Sequence, residues 1–209
     1  MTSKTFTETG FKDIDAGSAM NIYLKQGPDY SIRIDAEENI LKLMKVAKEG
    51  DKLVIGLKDG VNINPTKDIK VYITAPDFQS LEGSGACNYI SQGNIKGNVI
   101  KLDLSGASSS QLDVEVNKLA IEASGASEIT LKGKAAYFSV EGSGNTVIHS
   151  FPLLSDHTKV DISGSGEAEV YAGQSLEVSI SGSGDVSYKG NPSSIKKDIS
   201  GAGNINQVN

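Results

Sequence analysis

Two histidines, His149 and His157, stand eight residues apart in "VIHSFPLLSDHTK", with Asp156 beside the second. Imidazoles near a carboxylate could hold a metal ion or form half of a hydrolytic arrangement. Either chemistry needs further strong ligands or a nucleophile at a recognisable spacing, and the sequence offers none. The pair therefore reads as two solvated residues in a link between strands. "GSGNTV", from Gly142, resembles a phosphate-cradling loop. No helical stretch follows it, no lysine follows its second glycine, and similar triplets recur along the chain, which argues against a phosphate site. Cys87 is the only cysteine. It excludes an internal disulfide and reads as a small core residue rather than a nucleophile. Asp103, Asp113, Glu115, Glu122, Glu128, Asp161, Glu167, Glu169, Glu177 and Asp185 are read as outward-facing and spread along the molecule. Carboxylates about 5 to 9 Å apart serve glycoside hydrolysis, and stacked strands could bring two that close. Solvation and protection of β edges is the plainer reading. No catalytic residue, metal ligand or cofactor site is expected.

The composition narrows the function classes. The chain has 209 residues, a formal net charge of −6, a single arginine (Arg33) and no tryptophan. Phosphate backbones and anionic lipids attract clustered Lys and Arg, so nucleic acid is not an expected partner. Scarce aromatic residues weigh against stacked-ring clefts for sugars or single strands. No run of about 18 apolar residues is present to span a bilayer. No leader is legible in "MTSKTF".

The elements that must position any site come from a repeat. "LEVSISGSGDVSYKG" alternates apolar and polar residues, breaks at Ser-Gly-Ser-Gly, and resumes the alternation. The same anatomy recurs in "IKLDLSGASSSQLDV", "LAIEASGASEITL", "FSVEGSGNTVI" and "VDISGSGEAEVY". Aligned on the first glycine of each corner, the copies place Gly83, Gly106, Gly125, Gly142, Gly164, Gly182 and Gly201 in one series with a period near twenty residues. Such a period is solenoid spacing. A period-two strand puts its aliphatic side chains on one face. One unit cannot bury that face alone, whereas stacked parallel copies can. The expected fold is all-β: a parallel β-helix of seven to eight Gly-cornered coils over residues 77–209. In the last copy Lys197 takes a position that is aliphatic in earlier ones, a charged cap against strand addition.

Residues 1–76 read as strands, a hairpin and a short helix continuous with the solenoid. "FKDIDAGSAMNIYLKQG" aligns as a degenerate eighth copy, with Ile14 on Ile162 and Ile22 on Val170. Ile40, Leu43, Met44 and Ala47 share one stripe at helical spacing, which predicts a helix ending near Gly50. "KLVIGL" and "IKVYITA" follow as strands.

Taken together, "FKDIDAGSAMNIYLKQG", "IRIDAEENIL", "DIKVYITAPDFQSLEGSGA" and the Ser-Gly units resemble the bacterial family described as "putative auto-transporter adhesin, head GIN domain", best represented in Bacteroidetes. Where that family's Gly-Ile-Asn signature falls, this chain reads Ala19-Met20-Asn21. The resemblance implies a β-helix-like envelope protein, secreted or lipid-anchored, with an adhesive role and no catalytic residues. The expected function is non-enzymatic binding of a protein or glycan on flat β faces. The alternatives are a self-assembling envelope scaffold (a homo-oligomer) and, last, a polysaccharide-active enzyme.

Overall fold

A computed structural model describes residues 1–209. The chain opens with β1 (Thr2–Phe6), β2 (Asp13–Gly17), β3 (Met20–Gln26) and β4 (Ser31–Ala36). One helical turn, α1 (Glu38–Leu41), leads to β5 (Met44–Glu49), β6 (Lys52–Leu57), β7 (Lys70–Ala75) and β8 (Ser80–Ser84). Beyond them lie β9 (Cys87–Leu104), β10 (Ser109–His149), β11 (Leu153–Gly164), β12 (Glu167–Tyr171), β13 (Ser175–Gly182), β14 (Asp185–Lys189), β15 (Ser194–Gly201) and β16 (Asn204–Gln207). The long strands β9 and β10 pass around corners without losing their ladder.

Two parallel ladders run the length of the molecule. One passes through β6, β2, β8, β9, β10, β11, β13 and β15. The other passes through β7, β3, β9, β10, β12, β14 and β16. Like residues stack on like. Ile14 faces Leu81, Leu81 faces Leu102, and Leu102 faces Ile121; further along, Val140, Val160 and Val178 follow one another. All are buried in one continuous apolar column. The degenerate eighth copy is therefore real but slipped by two residues: Ile14 belongs to the Val160 row rather than the Ile162 row. A two-residue slip keeps every side chain on its face, which is why alternation alone did not resolve it.

The predicted helix is mostly absent. After the single turn of α1, Met44–Glu49 form β5, antiparallel to β6, with Glu49 opposite Lys52. Gly50 stands first in the two-residue loop at φ +63°, the place where a hairpin loop requires a positive φ. Ile40 and Met44 are buried as a helical stripe would bury them. The hairpin instead satisfies the backbone of β6, a strand that would otherwise end the sheet. β1 and β4 likewise close the second ladder in antiparallel fashion.

The corner column is Gly85, Gly106, Gly125, Gly144, Gly164, Gly182 and Gly201, each at positive φ and each against the backbone of the one before. Seven corners enclose about six turns. Gly83 and Gly142 lie two residues upstream of the bend, buried and facing the core. The column spacings become 21, 19, 19, 20, 18 and 19, more regular than the series aligned on the first glycine. Ser18, at φ +91°, sits beneath Gly85 and starts the column without a glycine.

Two residues past each early corner a small donor points inward and closes the bend. The hydroxyls of Ser108, Ser127 and Thr146 donate to the carbonyls of Ser105, Ser124 and Ser143. At the equivalent place after Gly85 stands Cys87, whose Sγ lies 3.0 Å from the Ser18 carbonyl and 3.4 Å from that of Ser84. Burial pushes the thiol pKa up to about 11. Nucleophilicity belongs to the thiolate, so native protein at pH 7 is expected to resist maleimide modification and to react fully once unfolded. Rapid labelling of the native chain would show that this corner opens.

Candidate functional site

The structure separates the two histidines. His149 Nδ1 lies 2.8 Å from Glu169 Oε2, on the ladder of β10 and β12. His157 Nδ1 lies 2.9 Å from Ser175 Oγ, on the ladder of β11 and β13. Nowhere do three or more His, Cys, Asp or Glu side chains converge as metal ligands would. The acids, by contrast, are less spread than their sequence positions imply. Asp15, Glu82, Asp103 and Glu122 stand in successive register on one outer row, and Glu141 and Asp161 continue it. Lys52 reaches Glu82 at 2.7 Å, and Lys101 bridges to Glu122 at 2.9 Å. Burial, and then the facing Glu82, raises the Asp15 carboxyl above its usual value. Asp103, Glu122, Glu141 and Asp161 line a shallow depression of about 410 Å³.

A different group of outward residues offers more chemistry. Leu119, Phe138, Thr158 and Leu176 point into the column, so Lys118, Tyr137, His157 and Ser175 point out. Tyr137 is 51% exposed. Its ring stacks on His157 with centroids 4.9 Å apart and planes 18° from parallel. Parallel pairing of Tyr137 with His157 forces this contact, because adjacent coils bring in-register side chains to about 5 Å. The next outward row supplies Ser139, Lys159 and Glu177, and the whole forms an open depression of about 500 Å³. Glu177 is paired with Lys196 at 3.1 Å. Lys118, Lys159 and Glu141 make no ion pair. The depression thus combines one amphipathic ring stack with free cations, a free carboxylate and hydroxyls. Such a surface can hold an apolar patch against the rings while bonding polar groups around it.

A second aromatic stack is already satisfied. Tyr23 and Tyr72 lie 4.9 Å apart, and Arg33 covers the Tyr72 ring while pairing with Asp35. Scarce aromatic residues weigh against stacked-ring surfaces, yet register between coils assembles one at Tyr137 and His157. In "KAAYFSV" the Tyr-Phe pair places one ring inward and one outward. Advancing Tyr137 by one coil reaches His157, a signal the twenty-residue period contains.

The fold recurs in solved structures. A "putative adhesin" from Bacteroides fragilis superposes with TM-score 0.95 at 21% identity, covering 99% of this chain and 96% of its own. A "putative adhesin" from Parabacteroides distasonis gives 0.81 at 19% identity, with 99% and 96% covered. A "putative lipid binding protein" from the same species gives 0.79 at 23%, with 100% and 96% covered. Among curated proteins no relative was found. No helix is long and apolar enough to cross a membrane. The family model for "putative auto-transporter adhesin, head GIN domain" matches residues 10–192, and the chain belongs to that family.

Proposed function

We propose that this protein is a non-enzymatic, adhesin-like binding module of the cell envelope, and that it receives a glycan or protein partner on the outer face around Tyr137 and His157. The observation that carries this reading is the exposed Tyr137–His157 stack flanked by the unpaired Lys118 and Lys159. Aromatic residues concentrate binding energy, and a rigid β face holds them at little entropic cost. Membership of an adhesin family supports a surface location and a binding role. The chemistry of the depression, with hydroxyl and charged groups around one ring stack, suits a hydroxyl-rich partner better than a lipid tail.

The test is a glycan array and an envelope pull-down, each run with the native chain and with Tyr137→Ala. Tyr137 is outside the core, so the variant should fold with stability within about 0.5 kcal/mol of the parent. Binding should weaken by about tenfold or more, the usual effect of losing an interfacial anchor. A partner that binds both proteins equally would place the binding face elsewhere. Turnover of uronic-acid polymers in the presence of Ca²⁺ would replace the binding reading with an enzymatic one.

A further inference from the structure

The two ends of the solenoid are treated differently. At the N-terminal end the ladders turn antiparallel, with β1 and β5 as the outermost strands. At the C-terminal end, β15 pairs with β13 on one side and with nothing on the other. All eight of its residues are exposed. Ile195 and Ile199, 44% and 43% exposed, lie under the buried Leu176 and Ile180 and continue their rows into solvent. An unpaired strand edge of this kind is a template for another strand.

The residues of β15 specify which strand fits. Ser194-Ile195-Lys196-Lys197-Asp198-Ile199-Ser200 reads the same in both directions, except that the charge at one arm is reversed at the other. We propose that β15 is an interface between two copies of this chain, pairing antiparallel with β15 of the second copy about a two-fold axis through Lys197. In that register Ser194 faces Ser200, Ile195 faces Ile199, and Lys196 faces Asp198, each pair made twice. Ile195 and Ile199 share the inward parity of Leu176 and Ile180, so the aliphatic rows of one copy run on into the other. Lys196 and Asp198 point outward, where opposite charges directly across a ladder attract.

The register is unique. A slip of one residue sends the isoleucines to the wrong face. A slip of two in either direction puts Lys196 against Lys196, or Asp198 against Asp198, and loses both Lys–Asp pairs. A two-fold contact of this type is self-complementary and closes at a dimer. Its cost lies at the axis, where two Lys197 side chains meet. Each is drawn aside, with Nζ 5.6 Å from the ring centroid of Tyr188 in its own copy. The association is therefore weak and reversible. It meets the binding face around Tyr137 only at the Lys196–Glu177 pair, and neither Tyr137 nor His157 takes part in it.

The experiment uses the full chain carrying single added cysteines, which the buried Cys87 does not compete with. Lys197→Cys should form an intermolecular disulfide on mild oxidation at least tenfold faster than a surface control, Asp185→Cys. Ser194→Cys mixed with Ser200→Cys should cross-link, and Ser200→Cys alone should not. In sedimentation, Lys196→Asp and Asp198→Lys should each weaken self-association by at least tenfold, and the double swap should restore it. Because β15 is exposed, unchanged circular dichroism is expected for every variant. Cross-linking of Lys197→Cys no faster than the control would overturn the proposal. So would a double swap as monomeric as its parents.

Discussion

Gly144→Ala is expected to split the solenoid near its middle, at a cost of about 4 kcal/mol or more, in the range that marks a broken backbone feature rather than a lost contact. A β-carbon on Gly144 would stand 2.6 Å from the Gly125 carbonyl oxygen and 3.3 Å from its nitrogen. Both atoms belong to backbone that is itself stacked on Gly106, so no side chain can swing away. The dihedral, φ +85°, adds a strain of about 1–2 kcal/mol for any residue with a β-carbon. For a chain of this size each kcal/mol lowers the midpoint by about 2–4 °C, so the thermal midpoint should fall by about 10 °C.

Two companion variants separate the causes. Gly50→Ala has the same kind of dihedral, φ +63°, with nothing within 4 Å of the new carbon, and should show the strain alone. Gly142→Ala keeps an ordinary dihedral and meets only the tip of Ile162 at 3.0 Å and Thr146 at 3.4 Å. Its cost should be about 1 kcal/mol, the low end of overpacking. Hydrogen exchange should report the Gly144→Ala damage locally first, in the coils on either side of residue 144, because solenoid stability is a sum of neighbour contacts. If Gly142→Ala proved the more damaging of the pair, the stacked column would have to run through Gly142 rather than Gly144. Equal costs for Gly144→Ala and Gly50→Ala would mean that coil-on-coil contact contributes nothing.

This contrast also shows where the sequence was readable. The alternation Leu119, Ile121, Ala123 and Leu176, Val178, Ile180 announces its buried face without ambiguity, because period two has one physical cause. The corner is different. "EGSG" offers two glycines of the same parity, and only the backbone of the neighbouring coil decides which one bends. The stretch from Ile40 to Ala47 failed for a related reason. Its apolar residues fit a helix, but β6 needed a partner for its open edge, a demand made by another part of the chain. Tyr137, His157 and the acid row from Asp15 to Asp161 depend wholly on register between coils. Each is ordinary within its own strand and acquires meaning only when laid on the residue about twenty positions away.

Lys197→Val is expected to convert weak self-association into a tight dimer. Lys197 occupies the row of Val140, Val160 and Val178, which are fully buried or nearly so. With valine there, Ile195 and Ile199 gain an apolar neighbour between them, and β15 presents an unbroken aliphatic face. Two effects act in the same direction. Removing the like charges at the axis relieves a repulsion of about 1 kcal/mol, because each ammonium is already drawn aside toward Tyr188 and remains near water. Burying two valines adds about 1.5 kcal/mol or more for each. Incomplete burial of the valines at a strand edge reduces this gain, which leaves a dissociation constant lower by about a hundredfold. Lys197→Gln removes the charge without adding the apolar surface and should fall between. Sedimentation velocity over a concentration series distinguishes what the added hydrophobicity does. The two-fold pairing consumes the β15 edge of each copy, and a self-complementary two-fold contact closes on itself, so growth through this edge should stop at two chains even at high concentration. Species that keep growing beyond the dimer would point to an open, non-closing contact in place of the two-fold one. An unchanged monomer would mean that Lys197 holds nothing back.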